Sequence, residues 1–383
     1  MGRRWQRNLL SVLIALGLAE ISLQAFYYLH AGDVLFRRVA RPIYVPEPYA
    51  GFGVKPNLSF LHRTNEFNTV LHTNSKGFRV SARHEEYSPR KDPSKFRILL
   101  LGPSFAFGWG VNYEDTFGVI LRRLLEENDF IPGKSIEVIN AGVPALGPGP
   151  QLTWYEHVGR TYHPDLVVQL IYGSMVVPNG RRAGAQVDAE GYLVRAGPGV
   201  SWRAVNRAKQ SALIFYAWIL GQRMVEALHP ASNPRGIAGS GRHLKIDTRF
   251  RPDDEGVADA LRFYKDLRQA AESGDARLLI VFLPLSYVVH EQDIARWRHL
   301  GVADIGGQIE FDRAFCDHLN RTGFHVVNTT QELVSDASRT RQRLYYWLDV
   351  HWTPRGNQIA ARAASDYILG NPRRKWFAGE TDR

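Results

Sequence analysis

The stretch Arg97-Ile98-Leu99-Leu100-Leu101-Gly102-Pro103-Ser104-Phe105-Ala106-Phe107-Gly108 decides how the chain is read. Four consecutive apolar residues, Ile98 to Leu101, end at a Gly-Pro turn signal, the pattern of a buried strand in a parallel sheet. Ser104 stands where that strand runs out. Ligands of open α/β sheets bind beyond the carboxyl ends of the strands, so a hydroxyl there is placed for chemistry. The same position suits a turn serine or a helix cap equally well, and only the rest of the chain can choose between the two.

Downstream of this strand the pattern alternates. A helix capped by Thr116 is expected over 116–127, with Phe117, Ile120, Leu121, Leu124 and Leu125 on one face. A strand at 136–140 ends in Ala141-Gly142, and a helix at 151–159 follows. A strand at 166–172 ends in Gly173-Ser174. Further on come a helix at 256–272, a strand at 278–283 closed by Pro284, a helix at 305–321 and a strand at 324–327. Thr353-Pro354 pairs a cap residue with a first-turn proline and starts a helix that runs to about 369. Repeated strand–helix units predict a three-layer α/β/α fold with a central, mostly parallel sheet. Between its third strand and the helix at 256, residues 180–208 read as an irregular insertion rich in Gly and Arg. Residues 211–228 read as a strongly apolar helix, too short and interrupted to span a bilayer. Core packing is its expected use, with contact at a membrane surface as the alternative. Residues 230–252 are loop-like.

Upstream, residues 40–96 carry turn chemistry. Asn74-Ser75-Lys76-Gly77 reads as a turn between short β segments at 70–71 and 78–80, a small lead-in covering one edge of the main domain. Residues 9–29 are predominantly apolar and match the roughly 20 residues that cross a bilayer. Arg3, Arg4 and Arg7 precede them and favour a cytoplasmic N-terminus, while Arg37, Arg38 and Arg41 blur that orientation. A cleaved signal peptide is the rival reading; the run is long for one, and no small-x-small cleavage site follows it. The expectation is an uncleaved transmembrane anchor in a bacterial inner membrane, with the main domain outside the cytoplasm. Glu20 and Gln24 lie one turn apart inside this segment. An ionisable group at membrane depth is costly, so Glu20 is expected to be neutral or paired, with Gln24 as the nearest partner.

Composition narrows the function classes. The chain has 383 residues, 44% of them hydrophobic and 22% charged, as globular proteins do. A single cysteine, Cys316, excludes an intramolecular disulfide and a cysteine-rich metal site. No cofactor and no metal are implied. The formal net charge of +10 comes largely from scattered arginines without interleaved aromatics, so a nucleic-acid partner is not expected. Anionic headgroups or acidic glycans fit the charge equally well.

The sequence Tyr345-Tyr346-Trp347-Leu348-Asp349-Val350-His351-Trp352-Thr353-Pro354 supplies what Ser104 lacks. In an extended segment, residues two apart face the same way, so Asp349 and His351 are expected on one side just before the last helix. A histidine beside a carboxylate is the base half of a Ser-His-Asp arrangement. The bland reading of the pair is a surface histidine and a helix-start carboxylate.

Taken together, these blocks resemble the SGNH (GDSL-type) hydrolase superfamily, in its branch of membrane-anchored bacterial envelope proteins. Asn74-Ser75-Lys76-Gly77-Phe78-Arg79 resembles the lead-in motif. Gly102-Pro103-Ser104-Phe105 with Gly108 and Val111 resembles the nucleophile block, and Asn140-Ala141-Gly142-Val143 the glycine block. Gly173-Ser174-Met175 occupies the place of Gly-Asn-Asp, and Asp349-x-His351 closes the set. The spelling Asp-x-His-Trp-Thr-Pro-x-Gly is also similar to alginate O-acetyltransferase-like proteins, where the motif precedes the serine. The resemblance implies a flavodoxin-like SGNH hydrolase fold over about 97–372, with an insertion at about 180–255. Before it would lie a cytoplasmic end (1–8), an anchor (9–29) and a lead-in (30–96); a tail (373–383) would follow.

It further implies Ser104 as nucleophile, His351 as general base, Asp349 as the orienting carboxylate, and an oxyanion hole of Ser104, Gly142 and Ser174. The implied activity is an esterase or O-acyltransferase acting on an ester, such as an O-acetyl group, of an envelope or extracellular glycan. Two departures stand out. Pro103 replaces the usual Asp, and Ser174 replaces the usual oxyanion-hole Asn. Losing one such donor typically lowers the rate by about 10²–10³-fold. The alternative implied by these departures is a weak or inactive SGNH-fold protein that binds glycan or serves polysaccharide assembly.

Overall fold

The structure is a computed structural model that describes residues 2–31, 42–64, 66–81, 85–173, 185–189, 191–195, 208, 210–217, 220, 250–293, 305–347 and 349–370. Ser174, the end of the apolar segment 211–228, and the tail lie outside the described residues. In chain order the elements begin with α1 (Gly2–Ala31), β1 (Tyr44–Glu47), β2 (Gly51–Val54), β3 (Ser59–Arg63), β4 (Asn68–Thr73) and β5 (Arg79–Val80). The central part holds β6 (Lys95–Leu101), α2 (Ser104–Phe107), α3 (Phe117–Glu127), β7 (Ser135–Asn140), α4 (Pro148–His157) and β8 (Leu166–Tyr172). After the short strands β9 (Ala185–Val187) and β10 (Leu193–Arg195) come α5 (Glu255–Glu272), β11 (Arg277–Leu283) and α6 (Ser286–Val289). The chain closes with α7 (Ile305–Arg321), β12 (His325–Asn328), α8 (Thr330–Thr340) and α9 (Pro354–Gly370).

One eight-stranded sheet has the order β12-β11-β8-β6-β7-β5-β4-β3. Its first five strands are mutually parallel. The alternation of strand side chains builds a core on each face. Ile98 and Leu100 of β6 join α3 and α9 on one side, while Leu99 and Leu101 join α5 and α7 on the other. Each of these four is at most 1% exposed, and full burial of such a side chain stabilises by about 1.5–3 kcal/mol. The three-layer arrangement expected from the sequence is the one observed. The stretch 180–208, read as irregular, contains the antiparallel β9–β10 hairpin, whose turn is closed by Asp188 Oδ1 accepting from the N–H groups of Gly191 and Tyr192.

The lead-in does more than cover an edge: it extends the sheet. β5 pairs with the end of β7 through Arg79 and Asn140, and β4 and β3 continue outward in antiparallel fashion. The Asn-Ser-Lys-Gly turn is built by Asn74 Oδ1, which accepts from the N–H groups of Lys76 and Phe78 at 3.0 Å. Gly77 has φ +80°, and a Cβ there would lie 2.4 Å from the Val54 carbonyl oxygen, so only glycine fits. Arg79 is fully buried. Its guanidinium donates to the carbonyls of Val70 at 3.1 Å and Val111 at 3.3 Å, and lies over the Phe107 ring. Burial lowers its pKa to about 10. Because Val111 and Phe107 flank the loop after Ser104, this one cation ties the lead-in to that loop.

Candidate active site

Ser104 is held where β6 gives way to α2. Gly102 has φ +145°, and a Cβ there would lie 2.9 Å from Ala106 Cβ and 3.0 Å from the Leu170 carbonyl oxygen. The turn out of the strand therefore needs glycine. Pro103 is extended, and Ser104 opens the four-residue helix α2. The first N–H groups of a helix have no intrahelical acceptor, so those at the start of α2 are left to other partners. Gly108, in the left-handed region, stops the helix with its N–H directed to the Ser104 carbonyl at 3.1 Å.

The Asp349–His351 segment is a turn, which corrects the extended conformation expected from the sequence. Val350 has φ +66°. Tyr346 N–H donates to the His351 carbonyl at 2.8 Å, and Val350 N–H to the Tyr346 carbonyl at 3.2 Å. A β-branched residue at positive φ is an uncommon conformation costing about 1–3 kcal/mol. Neighbouring side chains hold it in place. The Tyr345 hydroxyl donates to the Pro284 carbonyl and the Tyr346 hydroxyl to the Gly110 carbonyl, at 2.8 and 2.9 Å. The tight turn, not strand alternation, aims both residues at α2.

The result is a continuous relay. Ser104 Oγ lies 2.6 Å from His351 Nε2, and His351 Nδ1 lies 2.5 Å from Asp349 Oδ1. The second carboxylate oxygen of Asp349 accepts from Trp109 Nε1 at 3.3 Å, and its backbone N–H donates to Glu66 at 2.9 Å. The His62 ring packs edge-on against Trp109. Burial pushes the Asp349 carboxyl upward, but His351, His62 and the Trp109 N–H outweigh it and hold the group below the usual carboxylate range. Asp349 is therefore ionised at neutral pH and fixes the His351 tautomer with the proton on Nδ1, leaving Nε2 to accept from Ser104. The Phe105 ring packs against both His351 and Tyr172, at centroid distances of 4.9 Å.

Around the serine, Gly142 lies against α2: a Cβ there would be 2.4 Å from Phe107 N. Its N–H donates to Asn140 Oδ1 at 3.1 Å, and Asn140 Nδ2 donates to the Ala106 carbonyl at 2.8 Å. Asn140 thus clamps the glycine block onto the helix that bears Ser104. Ser174 lies outside the described residues. Its neighbour Gly173 lies against Asp312 of α7, with the position of a Gly173 Cβ 3.3 Å from Asp312 Oδ2. Asp312 Oδ1 accepts from Gln308 at 2.7 Å, Oδ2 has no hydrogen-bond partner among the described residues, and burial pushes this carboxyl up to about 8. A cavity of about 260 Å³ borders the glycine block on the lead-in side, between Val143, Trp154, Glu47 and Lys76; neither Ser104 nor His351 lines it. Among the described residues no group of three or more His, Cys, Asp or Glu could hold a metal ion.

Sequence reasoning missed Trp109, Glu66 and Asn140 as supports of this site. Trp109 and Asp349 are 240 positions apart, so no local pattern links them.

Residues 245–379 match the family model described as SGNH hydrolase-like domain, acetyltransferase AlgX. That region is similar to an SGNH hydrolase-like domain. The matched region contains Asp349 and His351, while Ser104 lies upstream of it. The match supports an acyl-ester hydrolase or acetyltransferase. Comparison with curated proteins gives no match. Among solved structures, similarity extends to a lipase from a goat rumen metagenome, with 12% identity, 72% of this chain and 99% of that chain covered, and a TM-score of 0.41. It extends also to the acetyl xylan esterase AlAXEase, with 11% identity, 70% and 97% covered, and a TM-score of 0.39. A catalytic mutant of Axe2, an acetylxylan esterase from Geobacillus stearothermophilus, has 14% identity, 71% and 93% covered, and a TM-score of 0.38. Among the described residues one helix, Arg4–Leu29, is long and apolar enough to cross a membrane, with a mean hydropathy of 2.0.

Proposed function

We propose that this chain is a serine esterase or O-acyltransferase that acts on an acyl ester, such as an O-acetyl group, of an envelope or extracellular glycan. In this reading α1 is an uncleaved anchor that holds the domain outside the cytoplasm. The observation that carries the reading is the unbroken relay from Ser104 through His351 to Asp349.

In the mechanism that follows, Ser104 Oγ attacks the ester carbonyl as His351 Nε2 takes its proton. The imidazolium so formed is stabilised by Asp349, whose other oxygen is held by Trp109. The oxyanion of the tetrahedral intermediate faces the start of α2, where Ser104 N–H is the first donor, joined by Gly142 and Ser174. His351 then returns the proton to the leaving alkoxide, giving an acyl-Ser104 intermediate. Water or a glycan hydroxyl, deprotonated by His351, resolves it by hydrolysis or transfer. Pro103 removes a side-chain carboxylate but leaves the Ser104 N–H available.

One observation favours the second reading, a weak or inactive glycan-binding component. Gly142 N–H is already committed to Asn140, so it would have to exchange that acceptor for the oxyanion. Labelling with a fluorophosphonate probe separates the two. The esterase reading expects labelling of the full-length protein that Ser104→Ala abolishes, together with hydrolysis of p-nitrophenyl acetate. Absence of both would leave the binding role.

A further inference from the structure

We infer that residues 210–217 form a second membrane-embedded element, a re-entrant segment that docks on α1 within the hydrocarbon layer through Glu20. The inference rests on α1 being the anchor proposed above.

Glu20 lies inside the apolar span Arg4–Leu29 of α1. It lies nine residues before Leu29, roughly 13 Å along the helix at 1.5 Å per residue, and so close to the middle of a hydrocarbon layer of about 30 Å. The pairing with Gln24 expected from the sequence is present, Gln24 Nε2 donating to Glu20 Oε1 at 2.8 Å. The larger share of the bonding comes from far along the chain. Glu20 accepts from the Ser211 hydroxyl at 2.8 Å, from Ala212 N–H at 2.7 Å and from Leu213 N–H at 3.0 Å. Gln24 Nε2 also donates to the Gln210 carbonyl at 2.8 Å. The N–H groups of Ala212 and Leu213 are among the donors that a helix beginning at residue 212 leaves without partners.

In water, solvent competes for those N–H groups, and capping by a carboxylate is worth only about 0.5–2 kcal/mol. In hydrocarbon, each unsatisfied group costs several kcal/mol, and irregular backbone survives only where protein satisfies it. The two costly features, a carboxyl group and a bare helix start, cancel each other at the same depth. The ring contacts set the direction. Tyr27 packs against Phe215 and Phe26 against Tyr216, so the second segment advances in the same sense as α1, toward its Leu29 end. A chain whose main domain lies beyond that end must therefore dip inward to reach residue 210 and turn back out, which is a re-entrant path.

Surface chemistry agrees. On α1 the half-buried positions Glu20, Leu23, Gln24 and Tyr27 form one stripe facing the segment. Elsewhere the helix leaves large apolar side chains such as Leu13, Ile14, Leu18 and Ile21 more than half exposed. Ile214 on the segment and Leu220 just beyond it turn outward, 50% and 60% exposed. Lipid acyl chains are the partner that covers both. The alternatives read from sequence, core packing or contact at a membrane surface, leave the exposed apolar side chains of α1 and of the segment without a partner among the described residues.

The test uses the full-length protein in phosphatidylcholine vesicles, with an environment-sensitive fluorophore on a cysteine introduced by Ile14→Cys on α1 or Ile214→Cys on the segment. Cys316 is buried and stays in place. We expect both probes to be quenched by lipids carrying a mid-chain nitroxide and protected from aqueous iodide. Lipid quenching at position 14 with iodide quenching at 214 would overturn the re-entrant segment and leave the anchor standing. Iodide quenching at both would overturn the anchor as well. Adding Glu20→Leu should expel the probe at 214 into water while that at 14 stays in lipid. Glu20→Gln, which keeps an acceptor oxygen, should retain both. Retention of the 214 probe in lipid with Glu20→Leu would overturn the role given to Glu20.

Discussion

Replacing Trp109 by Phe isolates one hydrogen bond in the relay. The substitution keeps an aromatic ring against His62 and removes the N–H that holds Asp349 Oδ2 at 3.3 Å. A hydrogen bond to an ionised group contributes about 1.5–3 kcal/mol. The long separation puts this one at the lower end, and about 1.4 kcal/mol corresponds to tenfold in rate. Trp109 acts through Asp349 on His351, so kcat should fall about tenfold with KM little changed. The pH profile gives an independent sign. Asp349 has a depressed pKa, so the stability its charged form contributes is present above the unfolded value and lost as pH falls through the folded one. Trp109 is one of the groups holding that pKa down. Without it the folded pKa rises, and acid inactivation should begin at higher pH than in the wild type. Steady-state hydrolysis of p-nitrophenyl acetate across the acid range measures both effects. An unchanged kcat and acid limb would refute the orienting role, and a rise in KM alone would make Trp109 a wall of the binding site instead.

Three further outcomes follow from the geometry. Val350→Gly should relieve the positive-φ cost of about 1–3 kcal/mol, offset by about 0.5–1 kcal/mol of glycine entropy, and raise Tm by about 2 °C in calorimetry. Gly142→Ala would drive a methyl to 2.4 Å from Phe107 N; displacing α2 should destabilise the fold by about 1–3 kcal/mol and abolish probe labelling of Ser104. Asp312 has a folded pKa raised to about 8 from an ordinary 3.8, so the unfolded chain releases that proton first and wild-type stability falls as pH rises between those values. Asp312→Asn should remove this slope in a Tm-against-pH series, and parallel curves would show that Asp312 does not titrate as described.

The sequence made the parallel half of the fold legible because residues such as Ile98–Leu101 are apolar on both faces, a pattern few other elements share. The antiparallel edge was hard to read for the opposite reason. In β4 the buried positions are Thr69, Leu71 and Thr73, while Val70 is 40% exposed, so the polar–apolar alternation is nearly inverted. Helix α8 buries only Leu333, Asp336 and Ala337. Asp336 is held by Arg355 and Arg339, and a stripe with a charge at its centre gives no hydrophobic period. For the site, Ser104, Asp349 and His351 could be chosen from their local blocks. The turn that aims the pair could not, because Val350 adopts a conformation its side chain disfavours. Trp109 and Glu66 acquire their roles only through contacts made by folding.

The two halves of the relay are separated by 247 positions, and this gives the site an order in time. A ribosome adds about 5–20 residues per second, so Ser104 precedes His351 out of the ribosome by roughly 10–50 s at that rate. During that interval the serine exists without its base, an ordinary alcohol of low reactivity. In the proposed mechanism it becomes a nucleophile only when the Asp349–His351 turn docks on α2. In the proposed extracytoplasmic setting this works as a delay, keeping the hydroxyl chemically quiet until the Asp349–His351 turn has emerged.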